Sequence, residues 1–464
     1  MGLHLSSLLV LLLLIPSSAF EEAAEMPPVR LPPAEEEAAY LALESINSDV
    51  AWRSLYPDDL CLSGPHGLVC DLFDAGDPHI VELNFGYVSD FSPNPPCGPN
   101  ATVAPLLLSY ASSFPFLRKL FFYNCFTDSK APLPTTPWNL PDSLEELVFI
   151  KNPSLVGRIG ISIGDLPHIR RFVVTGTGVS GSIPIEIGKL RNLEQLLLSR
   201  NRLRGDIPTS IGGCSTTLKI LDLSGNRLGG RIPVEFGRLV QLVKLDLSSN
   251  RLVGPLPSEL AMLKRLEFLD LSYNRLTGGV PTAMGEMTSL KEVYLSGNRH
   301  LGGRIPEVWK KLGALLGLGL SGVGLVGNIP QSMGLFLERL SYLALNDNSL
   351  EGELPDQFKR LEMSAREINL ENNALQGRIP FSAGFVGRMG GKLKLGGNPH
   401  LCLGEDLVGP ANNSTKGNLG YLAPCNKTEI PHPALFSSEA SPLNNSPISS
   451  SCFFLIPVLF FLNF

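Results

Sequence analysis

Residues Leu315–Pro330 read LLGLGLSGVGLVGNIP, and two incompatible readings compete for them. Gly317, Gly319 and Gly322 fit the spacing G-x-G-x-x-G, the loop that brings a dinucleotide pyrophosphate or an ATP phosphate onto the mouth of a helix. That chemistry needs the glycines between a strand and a helix inside a βαβ unit. Otherwise the letters are one period of a longer repeat, a strand runs straight through them, and no phosphate is held.

Self-comparison decides for the repeat. The unit starting at Leu242 is LVKLDLSSNRLVGPLPSELAMLKR, and the next, starting at Leu266, is LEFLDLSYNRLTGGVPTAMGEMTS. Equivalent starts fall at Leu144, Ile169, Leu193, Leu218, Leu290, Leu315, Leu340 and Ala365, giving ten units of 24 or 25 residues. A fixed period in that range means a solenoid. A degenerate unit begins at Leu117, with Cys125 in the asparagine position, and a truncated one ends at Asn398. In this register Leu315, Leu318 and Leu320 are core leucines, and Gly327, Ile329 and Pro330 close the unit. The glycine fingerprint is an accident of register, and no nucleotide, metal or other cofactor is expected.

The pattern L-x-x-L-x-L-x-x-N-x-L-x-G-x-I-P predicts a task for each letter. Alternating leucines such as Leu245 and Leu247 point one face of a short strand into the core, while Lys244, Asp246 and Ser248 point outward. The asparagines at 201, 226, 250, 274, 298, 348 and 373 carry both a donor and an acceptor, so a buried amide can satisfy the turn and tie neighbouring coils. Glycine permits the tight turn, and Ile-Pro returns the chain along the outer side. No unit buries its own leucines, so each depends on its neighbours. Thr177 and Val323 replace the asparagine; valine offers no hydrogen bond, so its coil is expected to be looser unless water fills in.

The rest of the chain frames this solenoid. Of 464 residues only 18% are charged, Gly numbers 46 and Pro 38, and the net charge is −6. That balance argues against a polyanion-binding protein and offers no basic face for nucleic acid. Residues 1–19 read as a secretory signal, with an apolar run from Leu8 to Ile15 and the small residues Ser17 and Ala19 before the cut. In an oxidising compartment the eight cysteines read as three local disulfides, Cys61 with Cys70, Cys97 with Cys125 and Cys402 with Cys425. Cys214 is left as a buried apolar residue and Cys452 falls in the C-terminal greasy run. N-glycosylation sequons stand at Asn100, Asn412, Asn413, Asn426 and Asn444, leaving the repeats bare.

Ahead of the repeats, EEEAAYLALESI places Ala39, Leu43 and Ile46 on one helical face, suited to cover the first coil. At the other end CFFLIPVLFFLNF is thirteen residues, short of the roughly 20 that cross a bilayer. Small residues, a polar spacer and this greasy end match a glycolipid-anchor signal, with Ser438 the expected attachment point and Asn444 the second choice; a short membrane insertion is the rival. The expected organisation is signal 1–19, N-terminal cap 20–115, solenoid 116–388, C-terminal cap 389–436 and anchor signal 437–464.

The unit tails GRIPVEFGRL and GELPDQFKRL resemble the plant-specific leucine-rich repeat shared by receptor kinases, receptor-like proteins and polygalacturonase inhibitors. The flanking phrases LESINSDVAWRSLYPDDLC, LNFGYVSDFSPNPPCGPNAT, RKLFFYNCF and KLKLGGNPHL resemble plant receptor-like proteins in particular, across about residues 40 to 400. The resemblance implies an α/β repeat solenoid, a horseshoe with a parallel β-sheet on its concave face and disulfide-stapled caps. It implies a kinase-less receptor at the outer face of the plasma membrane, working with a leucine-rich-repeat receptor kinase and a secreted peptide or microbe-derived ligand. An apoplastic inhibitor of microbial wall hydrolases is the alternative, and no enzyme signature appears.

On such a sheet, equivalent outward residues stack into ladders. Asp222, Asp246 and Asp270 form one, able to receive a partner's lysine or arginine or simply to be solvated. Phe268, Tyr273, Tyr294 and Tyr342 are expected to lie beside it as exposed aromatic anchors. Gly317 and Gly319 flatten the next coil, where a partner's backbone can approach. The expected binding patch runs from Asp246 to Tyr342.

Overall fold

A computed structural model describes residues 30–73, 76–86, 94–213, 217–408 and 419–425. Each repeat contributes one strand to a 14-stranded sheet that begins at Leu68–Leu72 and ends at Leu393–Lys394. The first pair, Leu68–Leu72 with Pro78–Phe85, is antiparallel, and every later neighbour is parallel. A strand runs through Gly317–Gly319, paired on both sides, so the phosphate-loop reading has no helix to serve.

Alternation drives the leucines inward: Leu221, Leu223, Leu245, Leu247, Leu269 and Leu271 are all fully buried. Near the N-terminal end Phe85, Phe122 and Phe149 take the leucine places and stack at centroid distances of 5.3 and 4.8 Å. Much of the return path is made of single 3-10 turns, and those at Val234–Arg238 and Ser258–Met262 are entered through a proline whose missing N–H costs no bond.

The asparagines perform the predicted task. Asn250 Oδ1 accepts from Leu228 N of the preceding coil at 3.0 Å, and its Nδ2 donates to Leu223 O and Leu247 O at 2.9 and 3.1 Å. Asn274, Asn298 and Asn373 repeat this pattern. Asn152 and Asn398, at the ends of the run, do the same.

The coils without asparagine correct the expectation of looseness. Where the next coil lacks the amide, the coil before it carries one extra residue, N-x-x-L instead of N-x-L. Its leucine N–H turns back onto its own asparagine carbonyl: Leu301 N to Asn298 O at 2.9 Å before Val323, and Leu155 N to Asn152 O at 3.0 Å before Thr177. Leu295 O keeps Asn298 Nδ2, Leu320 O keeps Asn348 Nδ2, and Val323 N itself donates to Asn348 Oδ1. These amides and carbonyls are all satisfied without the missing side chain.

The residue before each asparagine position is left-handed. Arg200, Ser249, Tyr273, Asp347 and Asn372 adopt φ of 54 to 57°, alternating with Gly225, Gly297, Gly322 and Gly397 at 61 to 76°. Gly322, the last glycine of the opening motif, occupies this turn, where a glycine carries no steric penalty.

Both ends are closed. The helix Pro33–Ile46 buries Ala39, Leu43 and Ile46 against the first coils. Disulfides join Cys61 to Cys70, Cys97 to Cys125, and Cys402 to Cys425. Beyond the last strand, Tyr421 Oη accepts from Leu395 N at 3.2 Å. Asn100 is exposed. The signal at 1–19, Cys214, Asn412, Asn413, Asn426, Ser438, Asn444 and Cys452 lie outside the described residues. Among the described residues no helix is long and apolar enough to cross a membrane.

Candidate functional site

The inner sheet carries two outward ladders, and they change character midway. One passes from Lys119, Glu146 and Arg171 to Lys244, Phe268, Glu292, Gly317 and Tyr342. The other passes from Phe121, Val148, Val173 and Leu197 to Asp222, Asp246, Asp270, Tyr294 and Gly319. In the first half Phe121, Val148 and Val173 form a small buried cluster of their own, beside the ion pairs Lys119–Glu82 at 3.4 Å and Arg171–Glu146 at 3.5 Å.

In the second half the three aspartates do stack side by side on consecutive strands. Part of their role is local: one oxygen of each accepts from the serine two residues on, at 3.0 Å for Ser224 N, 3.1 Å for Ser248 N and 2.8 Å for Ser272 N. Such turns explain why the phrase LDLS recurs. The second oxygens of Asp222 and Asp246 share one cation. Lys244 Nζ lies 3.9 Å from Asp222 and 4.0 Å from Asp246, and 5.1 Å from the centre of the Phe268 ring. Burial, and then repulsion from Asp222 and Asp270, pushes the Asp246 carboxyl up to about 7. Burial also raises the pKa of Asp270. Three carboxylates around one lysine leave an uncompensated negative site in a poorly solvated wall. No group of three His, Cys, Asp or Glu among the described residues is placed to hold a metal.

The aromatic residues divide differently from the expectation. Phe268, Tyr294 and Tyr342 are half-buried, not exposed, and lie in sequence along the wall at centroid distances of 6.0 and 6.2 Å. Tyr294 Oη donates to Glu292 Oε2 at 2.9 Å. Burial, then Glu292, holds its hydroxyl well above the usual tyrosine range, so it stays a donor. Burial raises Tyr342 in the same sense. Gly317 and Gly319 do not present open backbone. A β-carbon on Gly317 would stand 2.8 Å from Tyr294 Oη, and one on Gly319 2.8 Å from Tyr294 Cδ1. Both glycines are buried; they are small because Tyr294 covers them. Tyr273 alone is exposed, at 64%. It sits past the strand's end in the left-handed turn, its ring against Gly297, where a β-carbon would meet Tyr273 Cδ1 at 2.7 Å.

The structure therefore brings together Asp222, Asp246, Asp270, Phe268, Tyr294 and Tyr342, and sets Tyr273 apart. Lys244 and Glu292 belong to the site and were not singled out from sequence. Their signal was present in outward positions two residues before Asp246 and Tyr294.

A solenoid with buried asparagine ladders, Ile-Pro returns and disulfide-closed ends defines the class as a leucine-rich-repeat protein. Leucine-rich-repeat family models match residues 187–252 and 265–287. Receptor like protein 29 of Arabidopsis thaliana is 35% identical over 143 residues, 30% of this chain and 29% of that protein. Piriformospora indica-insensitive protein 2 of the same plant is 36% identical over 181 residues, 38% of this chain and 41% of that one. The matches thus span less than half the length of these relatives. The Arabidopsis receptor kinase HAESA, solved with the peptide hormone IDA and the co-receptor SERK1, superimposes with a TM-score of 0.60 at 25% identity, covering 80% of this chain and 66% of that one. The chain thus carries leucine-rich repeats and is similar over part of its length to plant receptor-like proteins.

Proposed function

We propose that this protein is a non-enzymatic receptor-like component of the plant cell surface. In this reading the second half of the inner sheet engages a secreted peptide or microbe-derived ligand together with a receptor kinase. The observation that carries the reading is the half-buried wall from Asp222 to Tyr342. It has three carboxylates for one lysine, continued by Phe268, Tyr294 and Tyr342. A partner's lysine or arginine would supply the missing charge, and its apolar residues would cover the rings. The relatives' names and the hormone-bound receptor kinase support the same role.

In this proposal residues 1–19 direct secretion and the tail after residue 436 anchors the protein through Ser438. Release from membranes by a phosphoinositide-specific phospholipase tests the anchor. The site is tested by using residues 20–436 to capture cell-surface proteins and secreted peptides, comparing wild type with Asp246→Asn/Asp270→Asn and Tyr342→Ala. Binding of a receptor-kinase ectodomain or a basic peptide, weakened at least tenfold in both variants with unchanged thermal stability, is expected. Equal capture by all three proteins would remove this wall from the function. Inhibition of a microbial wall hydrolase without any membrane partner would favour the inhibitor reading.

A further inference from the structure

In the middle coils the two flanks differ in how their cations are matched. On the side leading into the inner strands, several cations are matched: Arg170 and Lys219 share Glu194 at 2.5 and 2.6 Å, Lys291 pairs with Glu267 at 2.7 Å, and Lys311 with Glu286 at 2.6 Å. On the side leaving the strands, Arg202, Arg227, Arg251, Arg275 and Arg299 hold the same place, one residue past the buried asparagine, in five consecutive coils. All five are exposed. Among the described residues none of their side chains has an ion pair or hydrogen bond.

The repeat does not require arginine there. Gly324, Ser349 and Ala374 fill the same position in the later coils. Nor is the charge cancelled nearby: between the strand end and the closing proline these five coils contain a single carboxylate, Asp206. More guanidinium groups join the row. Arg204 is next to it, and the stems of Arg231 and Arg304 lie on the positive-φ glycines Gly254 and Gly327. Coils stack about 4.8 Å apart, and like charges at such a distance repel by about 1 kcal/mol per pair even in water. The row is thus stable but electrostatically unsatisfied. The whole-chain charge of −6 conceals it, because the acidic residues lie elsewhere, and this flank is basic although the net charge led to no basic face being expected.

Three features narrow the ligand. The row is entirely arginine, whose planar fork takes carboxylates two bonds at a time, rather than lysine. It is linear, one guanidinium per coil. And Tyr273, two residues before Arg275, packs its ring near Gly297 yet stays 64% exposed, leaving aromatic surface that the C–H face of a sugar could cover. No N-x-S/T sequon falls between residues 144 and 400, so no attached glycan shields the surface. We propose that this flank binds a linear acidic polysaccharide, a polyuronate with one carboxylate per ring, running along Arg202 to Arg299 with a sugar on Tyr273. The site is separate from the inner wall and does not depend on the receptor reading.

The test is binding of the secreted chain to immobilised α-1,4-oligogalacturonate, to its methyl ester and to single-stranded DNA of equal charge, across a salt series. The acid form is expected to bind best and the ester to lose at least tenfold. Arg227→Gln/Arg251→Gln/Arg275→Gln should weaken the acid form at least tenfold and lower the salt slope by about three, one per ion contact removed. Lys311→Gln, on the opposite flank, should leave binding unchanged, and the triple arginine variant should melt no lower than wild type because the replaced side chains make no ion pair or hydrogen bond and their mutual repulsion is relieved. Tyr273→Ala should weaken the oligogalacturonate but not a linear polyphosphate probe. Equal binding of acid and ester, an unaffected triple variant, or tighter binding of the DNA would overturn the proposal.

Discussion

Val148 and Asp246 occupy the same outward place on the same ladder, four coils apart, yet the sheet treats them as different kinds of residue. Val148 is fully buried although it points out of the solenoid core, packed between Phe121 and Val173. Asp246 stands between two other carboxylates, and beyond its bonds to Ser248 the cation that faces it is a lysine at 4.0 Å. An identical backbone therefore supports a wall sealed by its own side chains in the first half and a wall left in need of charge in the second. The first half covers itself; the second leaves its carboxylates and rings half-buried.

Exchanging the two chemistries should give the largest effect. Val148→Asp would place an unpaired carboxylate in a dry cluster and is expected to cost at least ~3 kcal/mol, seen as a lower midpoint in guanidinium chloride unfolding. Asp246→Val loses its bonds to Ser248 but relieves the crowding, and should stay within about 1 kcal/mol of wild type. If both substitutions cost the same, the two halves are not different in kind.

The pH response sharpens the contrast. The Asp246 carboxyl is pushed up to about 7 from its ordinary 3.8, so between those values the folded state binds more protons than the unfolded state. Stability from this group is complete below about pH 4 and falls as pH rises through about 7. Its full size is at most ~4 kcal/mol and is shared with the neighbouring carboxylates. Asp246→Asn keeps an acceptor for Ser248 and removes the charge. Thermal melts from pH 4.5 to 8 should show wild type losing stability toward pH 8 and the variant losing less. A variant with the wild-type pH profile would mean that another group governs it.

Much of this molecule was legible in its sequence because the decisive signals are periodic. Leucine spacing dictates the strands, and asparagine spacing dictates the inter-coil ties. Less was legible where a residue's meaning depends on the next coil. Gly317 and Gly319 look like open backbone until the Tyr294 ring is seen lying over them. Tyr273 and Tyr294 look equivalent as letters, but one ends in a left-handed turn and the other within a strand. The arginine row is written plainly as N-R in five units, but a net charge of −6 masks it.

The compensation around the missing asparagine was legible too, as N-x-x-L in place of N-x-L, and it sets the smallest expected effect. Val323→Asn would restore the repeat's consensus, and consensus reasoning alone predicts a stabilisation. The structure predicts almost none. The amide that a new Oδ1 should receive, Leu301 N, is already bonded to Asn298 O, and the carbonyls awaiting its Nδ2, Leu295 O and Leu320 O, already have one donor each. Any gain from second bonds to those carbonyls is offset by a buried Oδ1 without a partner, so the change should lie within about 1 kcal/mol of zero. Removing His300 together with the substitution shortens the preceding turn to N-x-L and frees Leu301 N to reach the new amide. The pair should therefore be more stable than either change alone in a thermal double-mutant cycle. A clear stabilisation from Val323→Asn by itself would show that the extra residue does not compensate, and that the coil at Leu315 is as poorly tied as its sequence first implied.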